Sequence, residues 1–248
     1  MKKIVLFATV LWLVSGGAGL AQLGSGTTPG INASLAKLFG NITAFSAKCD
    51  LRMLDAAQKE KMALPMDFAM LDGKFRAEID LSQMKGQELE AGAAVQMKQM
   101  GMGHIISLMH PDKKAVYLVY PELQSYIHMP LPKEAAAALD QDPKIERTVL
   151  GKETLDGQVC EKVKVILTDA QGQQAEALVW AAKDLKDFPI QIQMKEKGDT
   201  VILRYKNVKL AKPGADQFEL PSNFTAYQDM QSFMAGVMQK MMGGLGQP

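Results

Sequence analysis

Between Met62 and Leu81 large apolar residues recur at every second position within two runs. Met62, Leu64, Met66, Phe68 and Met70 fall on one side. After Asp72-Gly73, the residues Phe75, Ala77, Ile79 and Leu81 do the same against Lys74, Arg76, Glu78 and Asp80. A period of two is the signature of a β-strand, whose side chains point to opposite faces in turn. Asp-Gly between two such runs is a tight hairpin turn. The pair therefore makes an antiparallel ribbon with one apolar face that has to be covered and one wet face.

The same period recurs along the chain. "FSAKCDLRM" precedes the hairpin, and "HIISLMH", "KAVYLVYP" and "QSYIHMPL" follow it. The middle one of these three is apolar on both faces, so it should be covered from both sides. The second half is a meander, "KIERTVLGKETL", "QVCEKVKVILT", "QAEALVWAA", "FPIQIQMKEK" and "TVILRYKNVKL". Turn signals separate these runs at Asp156-Gly157, Asp169 to Gly172, Asp184 to Asp187 and Lys197-Gly198-Asp199. Strands at such short spacing without intervening helices imply an antiparallel sheet.

Helical patterns are few: "NASLAKLFGN" near the start, a helix over about 86–100 ended by Gly101 and Gly103, and "KEAAAALDQ". The tail adds a stripe of Met230, Phe233, Met234, Val237, Met238 and Met241 at helical spacing. An isolated helix this short is marginal in water, so the stripe must dock.

The first residues set the address. Lys2 and Lys3, the apolar run "IVLFATVLWLV" and the small residues ending at Ala21 form a secretory signal peptide, with cleavage expected after Ala21. No apolar run long enough to span a membrane follows, so no transmembrane segment is expected after cleavage. The organisation expected is a signal peptide over 1–21, a flexible leader over 22–30, a β-rich domain over 31–228 and a methionine-rich amphipathic helix with a frayed tail over 229–248. The chain has 28 Lys and Arg against 27 Asp and Glu. These are spread without a concentrated basic patch, which excludes a nucleic-acid binder as the expected class.

No nucleophile elbow, metalloprotease helix, phosphate-binding glycine loop or C-x-x-C motif is present, so the chain is not expected to be an enzyme and no cofactor is implied. Export makes a disulfide between Cys49 and Cys160 a natural expectation. The alternation, however, puts Cys49 on the apolar face of its strand and Cys160 in phase with Lys162 and Lys164, leaving the pairing open. Two readings compete for the 17 methionines. Met97, Met100, Met102 and His104 form a soft-donor pattern suited to copper(I). His110 and His128 are expected as surface or strand-end residues. Yet methionines also populate strands and the tail helix without histidine, as expected of an adaptable apolar cavity. Its expected lining is Met66, Phe68, Met70, Phe75, Ile79, Met97, Met100, Met234 and Met238.

The order of these parts, with "ITAFSAKCDLRM", "LGKETLDGQVCEKVKVIL", "ALVWAAKDLKDFPIQIQM" and the closing "ADQFELPSNFTAY", resembles the LolA/LolB-like superfamily of periplasmic lipoprotein carriers over about residues 31–228. The resemblance implies a mainly β fold, a strongly curved antiparallel sheet forming an unclosed half-barrel with helices across its concave face. It also implies a periplasmic, non-catalytic protein that holds a lipid or an acylated lipoprotein in an apolar cavity. Such a protein would act in lipoprotein handling or envelope sensing, with an envelope protein as a further partner. The alternatives are a copper(I)-binding protein using the 97–104 cluster and an envelope assembly factor with a filled core.

Overall fold

The computed structural model describes residues 37–86, 93–140, 143–169, 172, 174–196 and 198–244. The expected signal peptide and leader lie outside the described residues, as do the first part of the "NASLAKLFGN" helix and residues 87–92 of the helix expected over 86–100. No helix among the described residues is long and apolar enough to cross a membrane.

The alternating runs become the strands of one large, curved and unclosed sheet. In chain order they are β1 (Ala44–Leu54), β2 (Glu60–Leu71), β3 (Lys74–Asp80), the two-residue β4 (Lys85–Gly86), β5 (His104–His110), β6 (Ala115–Tyr120) and β7 (Ser125–Pro130). The second half contributes β8 (Lys144–Leu155), β9 (Gln158–Thr168), β10 (Gln174–Ala182), β11 (Phe188–Glu196), β12 (Asp199–Lys209) and the short β13 (Thr225–Tyr227). Among the described residues the strands are accompanied by the α-helices α1 (Ala93–Gln99), α2 (Lys133–Leu139) and α3 (Met230–Gly244). Across the sheet the order is β13-β7-β6-β5-β3-β2-β1-β12-β11-β10-β9-β8, with β4 pairing β2 beside the main path. Neighbours are antiparallel except for β13, which joins β7 in parallel.

The Asp72-Gly73 turn is built as its sequence requires. Both residues have positive φ, 49° and 83°, the conformation that matches the twist of a tight hairpin. Its register sets Met70 opposite Phe75, Phe68 opposite Ala77 and Met66 opposite Ile79. All six are buried, while Arg76 and Glu78 lie on the other face. Pro65 has no N–H to donate. It sits where β2 changes partner, between the β3 pairing that ends at Met66 and the β4 pairing that starts at Ala63.

What joins the two halves is β1. It pairs β2 on one side, with Phe45 opposite Met70 and Cys49 opposite Met66. On the other side it pairs β12, with Cys49 opposite Tyr205. One apolar face then runs from β7 to β9, and most of the core lies on it. Leu38 and Phe39, α1 through Met97 and Met100, and α3 through Phe233 and Val237 pack against this inner face. The outer face of β5 and β6 is also apolar, through Leu108, Ala115, Tyr117 and Val119. The segment 210–224 crosses it and seals it with Leu220 and Phe224. All six residues of β6 are buried as a result, matching its apolar residues on both faces.

At the far end β8 is an edge strand, its residues half-buried or exposed throughout. Charged side chains at Lys144, Glu146, Arg147, Lys152 and Glu153 line it, and its register slips between Val149 and Gly151. Charge and a bulge on an open edge both discourage pairing with other strands.

Candidate functional site

The inner face is continuous and built from large apolar side chains. Met66, Phe68, Met70, Phe75 and Ile79 lie together on β2 and β3 and are buried, and Met97, Met100 and Met234 pack partly buried against the same cluster. Met238 is placed elsewhere. It is 58% exposed on α3 and takes no part in that cluster. The helix is turned so that Phe233 and Val237, one turn apart, form its buried line, flanked by the half-buried Met230 and Met234. The wide stripe expected from spacing thus contracts to a narrow one. A helix meeting a sheet at one strip buries only the residues within about one-third of its circumference. The Met241 side chain lies outside the described residues.

Asp229 caps α3, accepting a hydrogen bond from the Ser232 N–H at 2.7 Å, as a carboxylate before a helix should. The helix packs on β7 and β13. Phe233 stacks on Tyr120 with ring centroids 4.5 Å apart and meets Tyr227 edge-on at 5.5 Å. Gly236 lets the helix come down closely, since a Cβ there would run into the Tyr227 ring and hydroxyl. Met238 and Met242 are left exposed on its far side.

The copper-type donor set is not brought together. Met97, Met100 and Met102 belong to the inner apolar cluster. His104 projects from the outer face, its Nε2 2.8 Å from the Glu78 carboxylate, which Arg76 holds from the other side at 2.7 Å. Partial burial works to raise the Glu78 carboxyl, but Arg76 and then His104 hold it below the ordinary carboxylate range.

Of the two histidines expected as surface or strand-end residues, His128 stacks on the Tyr117 ring at 5.1 Å. His110 is the last residue of β5, a strand-end residue as expected, but it is not at the surface, being fully buried under the 210–224 segment. Its Nε2–H donates to the Phe218 carbonyl at 2.7 Å, and its Nδ1 has no hydrogen-bond partner. Strand phase alone put His110 on the outer face. A segment more than a hundred residues later in the chain buried it there.

Cys49 and Cys160 are both buried free thiols. They stand on β1 and β9, four strand spacings apart through β12, β11 and β10, which at about 4.8 Å each is far beyond the reach of a disulfide. Burial pushes the Cys49 thiol far above its ordinary range, so it is not a reactive nucleophile.

Spacing gave no warning of an aromatic cluster at the centre of the inner face. Phe39, Phe45, Phe68, Phe188 and Tyr205 come from the segment before β1 and from β1, β2, β11 and β12. Their ring centroids are mostly 4.8 to 6.0 Å apart, and edge-to-face pairs are common among them. Phe68 was visible as an inward-phase residue, but only the joining of β1 to β12 gathers the five rings. Burial raises the Tyr205 phenol well above its usual range, with Cys49 beside it adding to the shift, so its hydroxyl stays protonated. That hydroxyl is buried without a hydrogen-bond partner. The opposite face carries a polar groove of about 390 Å³ with Lys48, Asp67, Arg76, Glu78 and Asn207 in its lining. The two faces of the central strands therefore offer opposite chemistries, a dry aromatic and methionine surface inside and paired charges outside.

The family described as "Domain of unknown function (DUF4412)" matches residues 63–188. No curated protein matches the sequence. Among solved structures the chain is similar to a LolA superfamily protein from Nitrosomonas europaea, at 11% identity and a TM-score of 0.38, over 78% of this chain and 98% of that one. It is similar also to the lipoprotein LppX of Mycobacterium tuberculosis, at 10% identity and a TM-score of 0.38, over 72% and 92% of the two chains. A third is LprF from Mycobacterium bovis, at 10% identity and a TM-score of 0.34, over 78% and 97%.

Proposed function

The chain belongs to the DUF4412 family, and from the geometry of its sheet we propose that it is an exported, non-catalytic carrier or sensor of a lipid or a lipid-modified protein. The inner face is the cargo surface and α3 is its lid. One observation carries this reading. α3 closes one end of an uninterrupted apolar face, yet Phe233 and Val237 are its only fully buried large side chains among those described, while Met238 and Met242 stay in water. A helix that served only to fill a core would bury its methionines.

The magnitudes suit an exchangeable cover. Burying Phe233 and Val237 is worth roughly 3–6 kcal/mol before ordering costs, and a 15-residue helix is marginal by itself. Cargo gains about 0.8 kcal/mol per buried methylene. Some four to eight methylenes of an acyl chain, at about that value each, would match what the lid gives up on opening. The methionines at Met66, Met70, Met97, Met100 and Met234 suit chains of varied length, because the unbranched thioether repacks easily. The wet edge and charged outer face keep the carrier apart from its own kind in the envelope space.

Removal of residues 229–248 tests the reading. The sheet is expected to remain folded, by circular dichroism and thermal melting, while uptake of a fluorescent fatty acid changes. Unfolding of the truncated protein would make α3 part of the core. A folded protein with unaltered uptake would make α3 a docking element for a protein partner and end the lid reading.

A further inference from the structure

Tyr205 stands out on the inner face. Among the described residues, only two buried side-chain polar atoms lack a hydrogen-bond partner, and the Tyr205 hydroxyl is one of them. It is 2% exposed and surrounded by Phe39, Phe45, Phe68 and Phe188. Its neighbour across the strand pair is Cys49, a neutral thiol. Leaving a hydroxyl unpaired in such a place is costly, and phenylalanine would fill the same space without that cost. A protein that keeps the oxygen at the middle of an apolar surface has a use for it in another state.

We propose that Tyr205 is the polar anchor of the cargo site, donating its hydrogen bond to the carbonyl oxygen of an acyl ester or amide whose chain lies along the inner face. The inference rests on the carrier reading above and narrows it. The hydroxyl is a neutral donor, so it suits an acceptor. The four rings and the thiol around it provide no cation, and an ionised carboxylate brought there would lose its hydration with one hydrogen bond in return. A neutral carbonyl loses far less, so the surroundings select esterified or amide-linked acyl groups over free fatty acids. Phe39, buried against Phe45, Phe188 and Tyr205, is the ring carried outside the strands, on the turn before β1 in which Gly40 has φ +60°. It is the one that would have to move to admit the carbonyl.

The test is Tyr205→Phe, measured on the full mature chain. A fluorescent long-chain alkyl ester and a hydrocarbon bearing the same fluorophore, matched in length but without the carbonyl, are titrated into both proteins. Wild type is expected to bind the ester more tightly, and the substitution to weaken ester binding on the order of tenfold while leaving hydrocarbon binding unchanged. The ligand-free variant is expected to melt at the same temperature as wild type or higher, because it loses an unpaired buried hydroxyl. Equal binding of the ester by variant and wild type overturns the proposal, as does an equal loss for both ligands. A lower melting temperature also overturns it, since the hydroxyl would then have a partner in the empty protein. If wild type binds neither ligand, the carrier reading itself falls, and the proposal with it.

Discussion

Strands β5 to β7 are covered on both sides, by the 210–224 segment outside and by α3 inside, and the two covers are built differently. The outer one buries Phe218 completely, seats Leu220 and Phe224 on Tyr117 and its neighbours, and is tied by the buried bond from His110 to the Phe218 carbonyl. An ion pair from Lys74 to Glu219 at 3.6 Å adds a weak surface contact. The inner one rests on Phe233 and Val237 and leaves two methionines exposed. Both covers are short apolar segments reaching the sheet from the C-terminal part of the chain. What separates them is polar: a buried hydrogen bond cannot be broken without stranding its partners, whereas apolar contact can be exchanged for other apolar contact. On the proposed lid reading, the outer segment is the fixed cover and the inner helix the one that opens.

The largest effect that would expose this asymmetry is expected from Phe218→Ala. A fully buried phenylalanine truncated to alanine costs about 3–5 kcal/mol. For a chain of this size that lowers the melting temperature by about 10 °C. Phe233→Ala removes a ring just as buried, but on the proposed lid reading α3 undocks without the sheet unfolding. Its loss is therefore expected in faster amide exchange of residues 230–240, with the melting of the sheet little changed. Equal falls in melting temperature for the two variants would erase the distinction.

Acid should act on the outer cover. Burial, the largest influence, lowers His110 below its ordinary value, against the Phe218 hydrogen bond that raises it. Lys113 and Lys74 lower it further and Asp112 raises it. An unfolded chain takes up a proton at His110 near 6.5, while the folded ring stays neutral to lower pH. The unfolded state therefore binds more protons in that window. The histidine's contribution is complete above 6.5 and is lost as the pH falls from there through the lowered folded value. Denaturant midpoints measured across this range should drop for wild type and stay flatter for His110→Gln. Parallel curves would remove His110 from the account. The smallest effect belongs to the far side of α3, where Met238→Ser and Met242→Ser should each shift stability by less than about 0.5 kcal/mol. A clear destabilisation would mean that these side chains are covered.

Much of the strand layout is legible in the alternation of side chains alone. The runs at 144–155, 158–168 and 174–182 become β8, β9 and β10, and the hairpin from Met66 to Ile79 faces as its alternation requires. The site is legible only in part. Met66, Phe68, Met70, Phe75 and Ile79 are in view because strand phase is local. The burial of His110, the narrow contact line of α3 and the gathering of Tyr205 with four phenylalanines are not. Each depends on a segment distant in the chain arriving at that place.

The sequence by itself determined which side chains face inward along most of the strands, because a period of two is imposed by backbone geometry within a few residues. Cys160, in phase with Lys162 and Lys164 yet buried in the core, is where the phase breaks beside the β8 register slip. Only the tertiary structure decided which strands not joined by a tight turn lie side by side, as β1 with β12 and β3 with β5. Backbone N–H and C=O groups are the same at every residue, so the ladder carries no address of its own. The insertion of β1 between β2 and β12 gathers Phe45, Phe68, Phe188 and Tyr205 into one continuous apolar face, which no single strand's pattern contains.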